Sequence, residues 1–279
     1  YYTGFTGGEG IALIGSIFKI LITDSRYTEA AEAEAEGFKI VEKAPYCSAL
    51  KDIFEKYGIK KVYFEDAALS VSDYNKIREI SGSGFDFIGA SDRIEKKRAV
   101  KELWETELIR KSEEIAVSAF EHILDYIKPG VSEFEIAAEL EYFMKKQGAE
   151  KTSFDTIVLS GKKTSMPHGK PDYNKINPGD FVTMDFGCLY KGYCSDMTRT
   201  VVAGKATEEQ KKVYNTVLSA QTKSSMKIAA GAKASEIDKT ARDIIAGAGF
   251  GNYFGHALGH GVGLLIHEAP NLSPKSDYI

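Results

Sequence analysis

The sequence predicts an α/β (α+β) chain of two domains, a small α/β domain over residues 1–93 and a larger mixed domain over residues 94–279. Three observations carry this reading. Strand-like and helix-like runs alternate through the first stretch of the chain, the arrangement of a small α/β domain. The composition changes at Ser91-Asp92-Arg93, beyond which Glu, Lys, Ala, Leu and Ile recur at helical spacing. Farther on, Ser and Thr capping boxes introduce helices, and β-branched runs mark strands.

Taken in order, residues 11–23 are apolar and β-branched and read as strand, with Gly15 as a turn. Residues 39–43 form a short strand. Residues 45–57 look helical and Gly58 ends them. Residues 60–65 read as strand, 70–80 as a helix capped by Ser70 or Ser72, and 85–88 as a short strand. A long helical stretch from Ile94 breaks at Pro129-Gly130. Ser132 with Glu135 opens a helix that runs to Gly148, and Thr207 with Gln210 opens one that runs to about Ala230. Strands follow at 154–159, 181–190 and 193–202. Gly130, Glu135, Ile136 and Gly148 recur as Gly231, Glu236, Ile237 and Gly249, always 101 residues on. Four matches are compatible with chance; the structural alternative is two related helix-then-strand halves facing across a cleft.

The 279 residues are 43% hydrophobic and 27% charged, a globular mix, and the net charge of -4 gives no basic footprint for nucleic acid. Cys47, Cys188 and Cys194 are too few and too scattered for a disulfide framework, which fits a reducing, cytoplasmic setting. No apolar run approaches the roughly 20 residues of a membrane span. The first residue is Tyr1 rather than Met, and residues 1–5 read like the middle of a longer chain, so the start is expected upstream.

The strongest chemical signal is Phe181-Val-Thr-Met-Asp185-Phe-Gly-Cys-Leu-Tyr190-Lys-Gly-Tyr-Cys-Ser-Asp196-Met-Thr-Arg-Thr200, which reads as a β-hairpin. A turn centred at Tyr190-Lys191 would set Asp185 directly opposite Asp196, with Cβ atoms about 4.5–5.5 Å apart. Two like charges there are unfavourable unless cations lie between them or one carboxyl stays protonated. The alternative is a pair of solvated acids on an exposed hairpin.

Three of the five histidines lie in Tyr253-Phe-Gly-His256-Ala-Leu-Gly-His260-Gly-Val-Gly-Leu-Leu-Ile-His267-Glu268. The glycines argue against a helix. In an extended chain His256 and His260 share a side and His267 takes the other. His168, in Ser165-Met-Pro-His168-Gly, sits in a turn-like segment; a lone loop histidine is more often structural than functional. His122 reads as an ordinary packing or surface residue of the long helix.

At these residues the chain resembles the pita-bread metallopeptidases, which include Xaa-Pro aminopeptidase, proline dipeptidase, methionine aminopeptidase and creatinase. The motifs Pro167-His168-Gly, Met184-Asp185-Phe-Gly, Ser195-Asp196-Met-Thr-Arg199-Thr and His256-x-x-Gly-His260-Gly-x-Gly-Leu-x-x-His267-Glu268 match in order. Tyr2-Thr-Gly-Phe-Thr-Gly7 and Thr23-Asp24-Ser25-Arg26-Tyr27 resemble the creatinase-like N-terminal domain of the Xaa-Pro branch. The resemblance implies two divalent metal ions, Mn with Co or Zn as alternatives, with Asp185, Asp196 and His260 as ligands. Their charge would deprotonate a bridging water for attack on the scissile carbonyl. His168 and His267 would hold substrate and stabilise the tetrahedral intermediate, and His256 would line the proline-side pocket. The substrate implied is a peptide with proline at its second position, and the family's habits imply a homodimer.

The family's remaining two ligands are Glu residues downstream of His267, past Ile279, so three of five are expected here and the C-terminal end of the catalytic domain is expected to be missing. Alternatives are proline dipeptidase rather than aminopeptidase activity, a creatinase-like hydrolase of a non-peptide C–N bond, and a catalytically inactive peptide-binding relative.

Overall fold

A computed structural model describes residues 1–82 and 84–279, with side chains for all of these except Ser91 and Asp92. Contacts divide the chain into two units, Tyr1–Ile94 and Glu95–Ile279.

In the first unit β1 (Ile11–Ile14) and β2 (Lys19–Thr23) form an antiparallel hairpin closed at Gly15, whose N–H donates to the Phe18 carbonyl. After α1 (Thr28–Glu34), β3 (Lys39–Glu42) joins β2 in parallel. Helix α1 has no side-chain cap and buries only Ala31, so its sequence carries almost no periodic signal. Residues 45–57 form a 3₁₀ turn (Tyr46–Ala49) leading into α2 (Leu50–Lys56). Strands β4 (Lys61–Phe64) and β5 (Asp86–Gly89) pair in parallel around α3 (Val71–Ser81), which Ser70 caps by accepting the Asp73 N–H. Leu50, Ile53 and Phe54 of α2 pack with Ile20 and Ile22 of β2 as the core.

The continuous helix expected from Ile94 is two helices, α4 (Ser91–Ala99) and α5 (Leu103–Ile123). Glu102 separates them by forming a capping box with Glu105. The second box behaves as expected: Ser132 and Glu135 cap α6 (Glu133–Lys146). The Ser132 hydroxyl and N–H, with Lys175, draw the Glu135 carboxyl down to about 2. Strands β6 (Lys151–Thr152), β7 (Ile157–Ser160), β8 (Phe181–Phe186), β9 (Cys188–Tyr190), β10 (Tyr193–Cys194) and β11 (Met197–Val202) follow. They form two sheets, in the orders β11-β8-β7 and β10-β9-β6. Ala116, Ala119 and Ile123 of α5 and Ile136, Leu140 and Met144 of α6 pack on Val182, Met184 and Phe186 of β8. Thr207 and Gln210 cap α7 (Glu208–Ser225), which lies against α8 (Ala234–Gly247). The chain ends with the antiparallel pair β12 (Gly259–Gly261) and β13 (Glu268–Leu272).

The sequence recurrence has a structural counterpart. Helix α8 begins and ends 101 residues after α6. Gly130, Gly148, Gly231 and Gly249 flank these helices, all at positive φ, where a side chain would be strained. Each helix precedes an antiparallel strand pair, β7-β8 or β12-β13. No helix among the described residues is long and apolar enough to cross a membrane.

Candidate active site

The β8-to-β11 hairpin turns at Lys191-Gly192, with φ of +47° and +81°. Two positive φ values in a two-residue loop make a type I′ turn, whose twist suits the flanking strands. Tyr190 therefore pairs with Tyr193, and the same register sets Asp185 opposite Thr198. This corrects the expected pairing of Asp185 with Asp196, because the turn lies one residue farther along. Asp196 falls diagonally to Asp185, a spacing of about 7–8 Å between Cα atoms. It sits in the break between β10 and β11, beside Gly187. A Cβ on Gly187 would lie 1.9 Å from the Ser195 carbonyl oxygen, so only glycine permits this approach.

Along β8, Val182, Met184 and Phe186 enter the core while Asp185 stands on the opposite face, half-buried. The Thr198 hydroxyl donates to Asp185 Oδ1 at 2.5 Å. Burial pushes the Asp196 carboxyl up; the charge of Asp185 adds to this, and His260 and His267 oppose it. His260 Nε2 lies 3.4 Å from Asp196 Oδ2. The His260 and His267 rings meet edge to face, 4.4 Å between centroids.

The meeting of His260 and His267 corrects the expectation that they face opposite sides. That expectation holds for a continuous strand, but a β-bulge falls between His260 and Gly261 and the chain then folds back into β13. Gly261 is essential to the fold-back, since a Cβ there would lie 2.4 Å from the Ala269 carbonyl oxygen.

The other three histidines stand apart. His256 is exposed; its Nδ1 is 2.7 Å from the Ala257 carbonyl and its ring lies edge-on to Phe254. His168 is exposed on the segment after β7 and makes no hydrogen bond or ion pair to the cluster. His122 is a packing residue, stacked on Phe143 with Nε2 2.6 Å from Glu139.

Two further acids lie near the cluster: Glu113, which the sequence did not single out, and Glu268, which stood in the histidine motif without a role. Glu113 reaches the cluster from α5. Burial raises its carboxyl, the Asp196 backbone N–H opposes this, the Asp196 charge adds to it and Arg199 lowers it. In the run Ser112-Glu113-Glu114 no local signal marks it. Glu268, next to His267, is almost fully buried and bonds to Arg98 and to Lys101 (2.8 Å). Against the cost of burial, Lys101, the Leu265 N–H and Arg98 hold its carboxyl below the usual range. A cavity of about 520 Å³ opens here, lined by Arg98, His260, His267, Glu268, Asn271 and Tyr278 among others.

Among the described residues no three His, Cys, Asp or Glu side chains gather closely enough to hold a metal ion. The Asp196–His260 pair nonetheless suits one. Two donors each about 2.1 Å from one ion at a tetrahedral angle lie about 3.4 Å apart.

Residues 107–279 match metallopeptidase family M24, and residues 1–100 match the Creatinase/Prolidase N-terminal domain. The chain belongs to metallopeptidase family M24. A Pyrococcus horikoshii Xaa-Pro dipeptidase is 45% identical over 277 residues, 98% of this chain and 76% of the relative. Among solved structures, an Xaa-Pro dipeptidase from Bacillus anthracis superposes with a TM-score of 0.95 at 44% identity, covering 99% of this chain and 78% of that one. An X-Pro aminopeptidase from Thermotoga maritima gives 0.94 at 39%, covering 100% and 79%. As an M24 metallopeptidase the protein is a hydrolase that uses divalent metal ions.

Proposed function

We propose that this M24 protein hydrolyses the bond between an N-terminal residue and proline, as an Xaa-Pro aminopeptidase or proline dipeptidase. The observation that carries the reading is the approach of His260 to Asp196, with His267 against His260 and the charge of Asp185 felt at Asp196, in a chain whose relatives bear those names. Asp185, Asp196 and His260 would hold the metals. Carboxylate and imidazole donors suit Mn²⁺, with Co²⁺ or Zn²⁺ as alternatives. When bound, the ions supply an activated water and polarise the scissile carbonyl.

The chain's own groups do the rest. Thr198 bonds Asp185 Oδ1 and so orients that carboxylate. His267, against His260, would donate a hydrogen bond to the oxygen that gains charge. His168 would hold substrate beside it, and His256 would line the proline side. We further propose that the protein works in the cytoplasm as a homodimer.

The test is release of the N-terminal residue from Xaa-Pro peptides by the full-length protein with Mn²⁺ or Co²⁺. Asp196→Asn and His260→Ala should each abolish it. Full activity in either variant would refute the ligand assignment. A wild-type protein that binds no metal and turns nothing over would instead be a peptide-binding relative.

A further inference from the structure

Helix α8 carries a buried carboxylate that the reaction does not use. Asp238 is fully buried and receives Arg242, one turn on, through Nε (2.6 Å) and a second nitrogen (3.2 Å). An ordinary helix pair would stop there. Here the guanidinium also donates to the backbone carbonyls of Phe254 (3.0 Å) and His256 (2.5 Å). Asp238 in turn accepts the Leu258 N–H at 3.0 Å. Together the two side chains hold the backbone of residues 254–258, the segment that leads into β12 and His260.

The same guanidinium lies over the Phe254 ring, 4.5 Å from its centroid. The His256 imidazole lies edge-on to that ring, 4.9 Å away. Arg242 and His256 thus both rest against the Phe254 ring, and the guanidinium also holds the His256 carbonyl. A planar fork can bridge a carboxylate and two carbonyls while resting on a ring; an ammonium cannot.

We infer that Arg242 is a positioning residue that fixes the His256 imidazole for the proline side of the substrate, with Asp238 orienting Arg242. The kinetic part of this inference rests on the proposed function. Its test uses the full-length wild type, Arg242→Gln, Arg242→Lys, His256→Ala, the Arg242→Gln/His256→Ala double variant, and Phe254→Leu, which keeps the apolar packing and removes the ring that both groups contact. Steady-state kinetics on an Xaa-Pro dipeptide should show Arg242→Gln raising KM about tenfold with kcat within about twofold. Added to His256→Ala, it should cost nothing further, because both remove one interaction. Additive losses would overturn the inference, since they would mean a structural role independent of His256.

Ring-proton NMR of His256 gives a readout that needs no activity. Its resonances should lose the ring-current displacement from Phe254 in Arg242→Gln and Arg242→Lys, moving toward their positions in Phe254→Leu. Resonances unchanged in Arg242→Gln would overturn the inference, and if that variant fails to fold, unchanged resonances in Arg242→Lys do so. A wild type that cleaves no Xaa-Pro peptide defeats the proposed function, while the ring resonances still decide the positioning.

Discussion

Consider Glu133→Gln, which replaces one oxygen of a fully buried carboxylate. Glu133 opens α6. Its Oε1 accepts the Ser160 N–H (2.8 Å), the Ser160 hydroxyl (3.0 Å) and the Asn174 amide (3.0 Å). Its Oε2 accepts Lys163 Nζ (2.5 Å) and the Asp172 N–H (3.3 Å). A glutamine can keep the first set, but its amide nitrogen then faces two donors. Breaking a buried ion pair by altering one partner costs about 3–5 kcal/mol. Lys163 keeps a second carboxylate, Asp172, at 2.9 Å and is 23% exposed, so about 2–3 kcal/mol is expected. At roughly 2–4 °C per kcal/mol for a unit of this size, Tm should fall by about 4–12 °C. Calorimetry measures this. Amide exchange at Ser160 and Asn174 should quicken together, since these anchor the segment that carries His168. A fall of under about 2 °C with unchanged exchange would refute the idea that this carboxylate holds the segment.

Gly187→Ala should cost about 3 kcal/mol or more, because the clash is with backbone rather than with a flexible tip; it should also weaken Mn²⁺ binding by displacing Asp196, as titration calorimetry would show. The pH dependence of unfolding should carry a Glu268 component. Its folded carboxyl sits below the ordinary value of 4.5, so its stabilisation is complete above that value and is lost as pH falls through the folded one. Urea unfolding of Glu268→Gln across about pH 3 to 6 should show that part of the slope removed.

Local features were legible in the sequence. The boxes at Ser132/Glu135 and Thr207/Gln210 announce α6 and α7 because a cap needs only residues three apart. The hairpin was visible as well, but its register was not. Register depends on which residues occupy the turn, and Lys191 at positive φ is a weaker sign than Asn or Asp in that place. The histidine geometry depended on a bulge that strict alternation cannot anticipate. Helix α1 escaped because alanine and glutamate in alternation bury almost nothing. Asp238 and Arg242 carry no sequence signal for their hold on residues 254–258, because it is a contact between separate parts of the chain. The ligand set itself came from ordered motifs and their resemblance to a family, with spacing alone leaving solvated acids as an equal reading.

The 101-residue recurrence divides the proposed donors between two halves. The half containing α6 supplies both carboxylates, and the half containing α8 supplies His260. No single segment therefore owns an ion. Affinity becomes a matter of effective concentration, set by how firmly one half presents its donors to the other. Substitutions that loosen the packing of either helix should weaken metal binding even where they touch no donor.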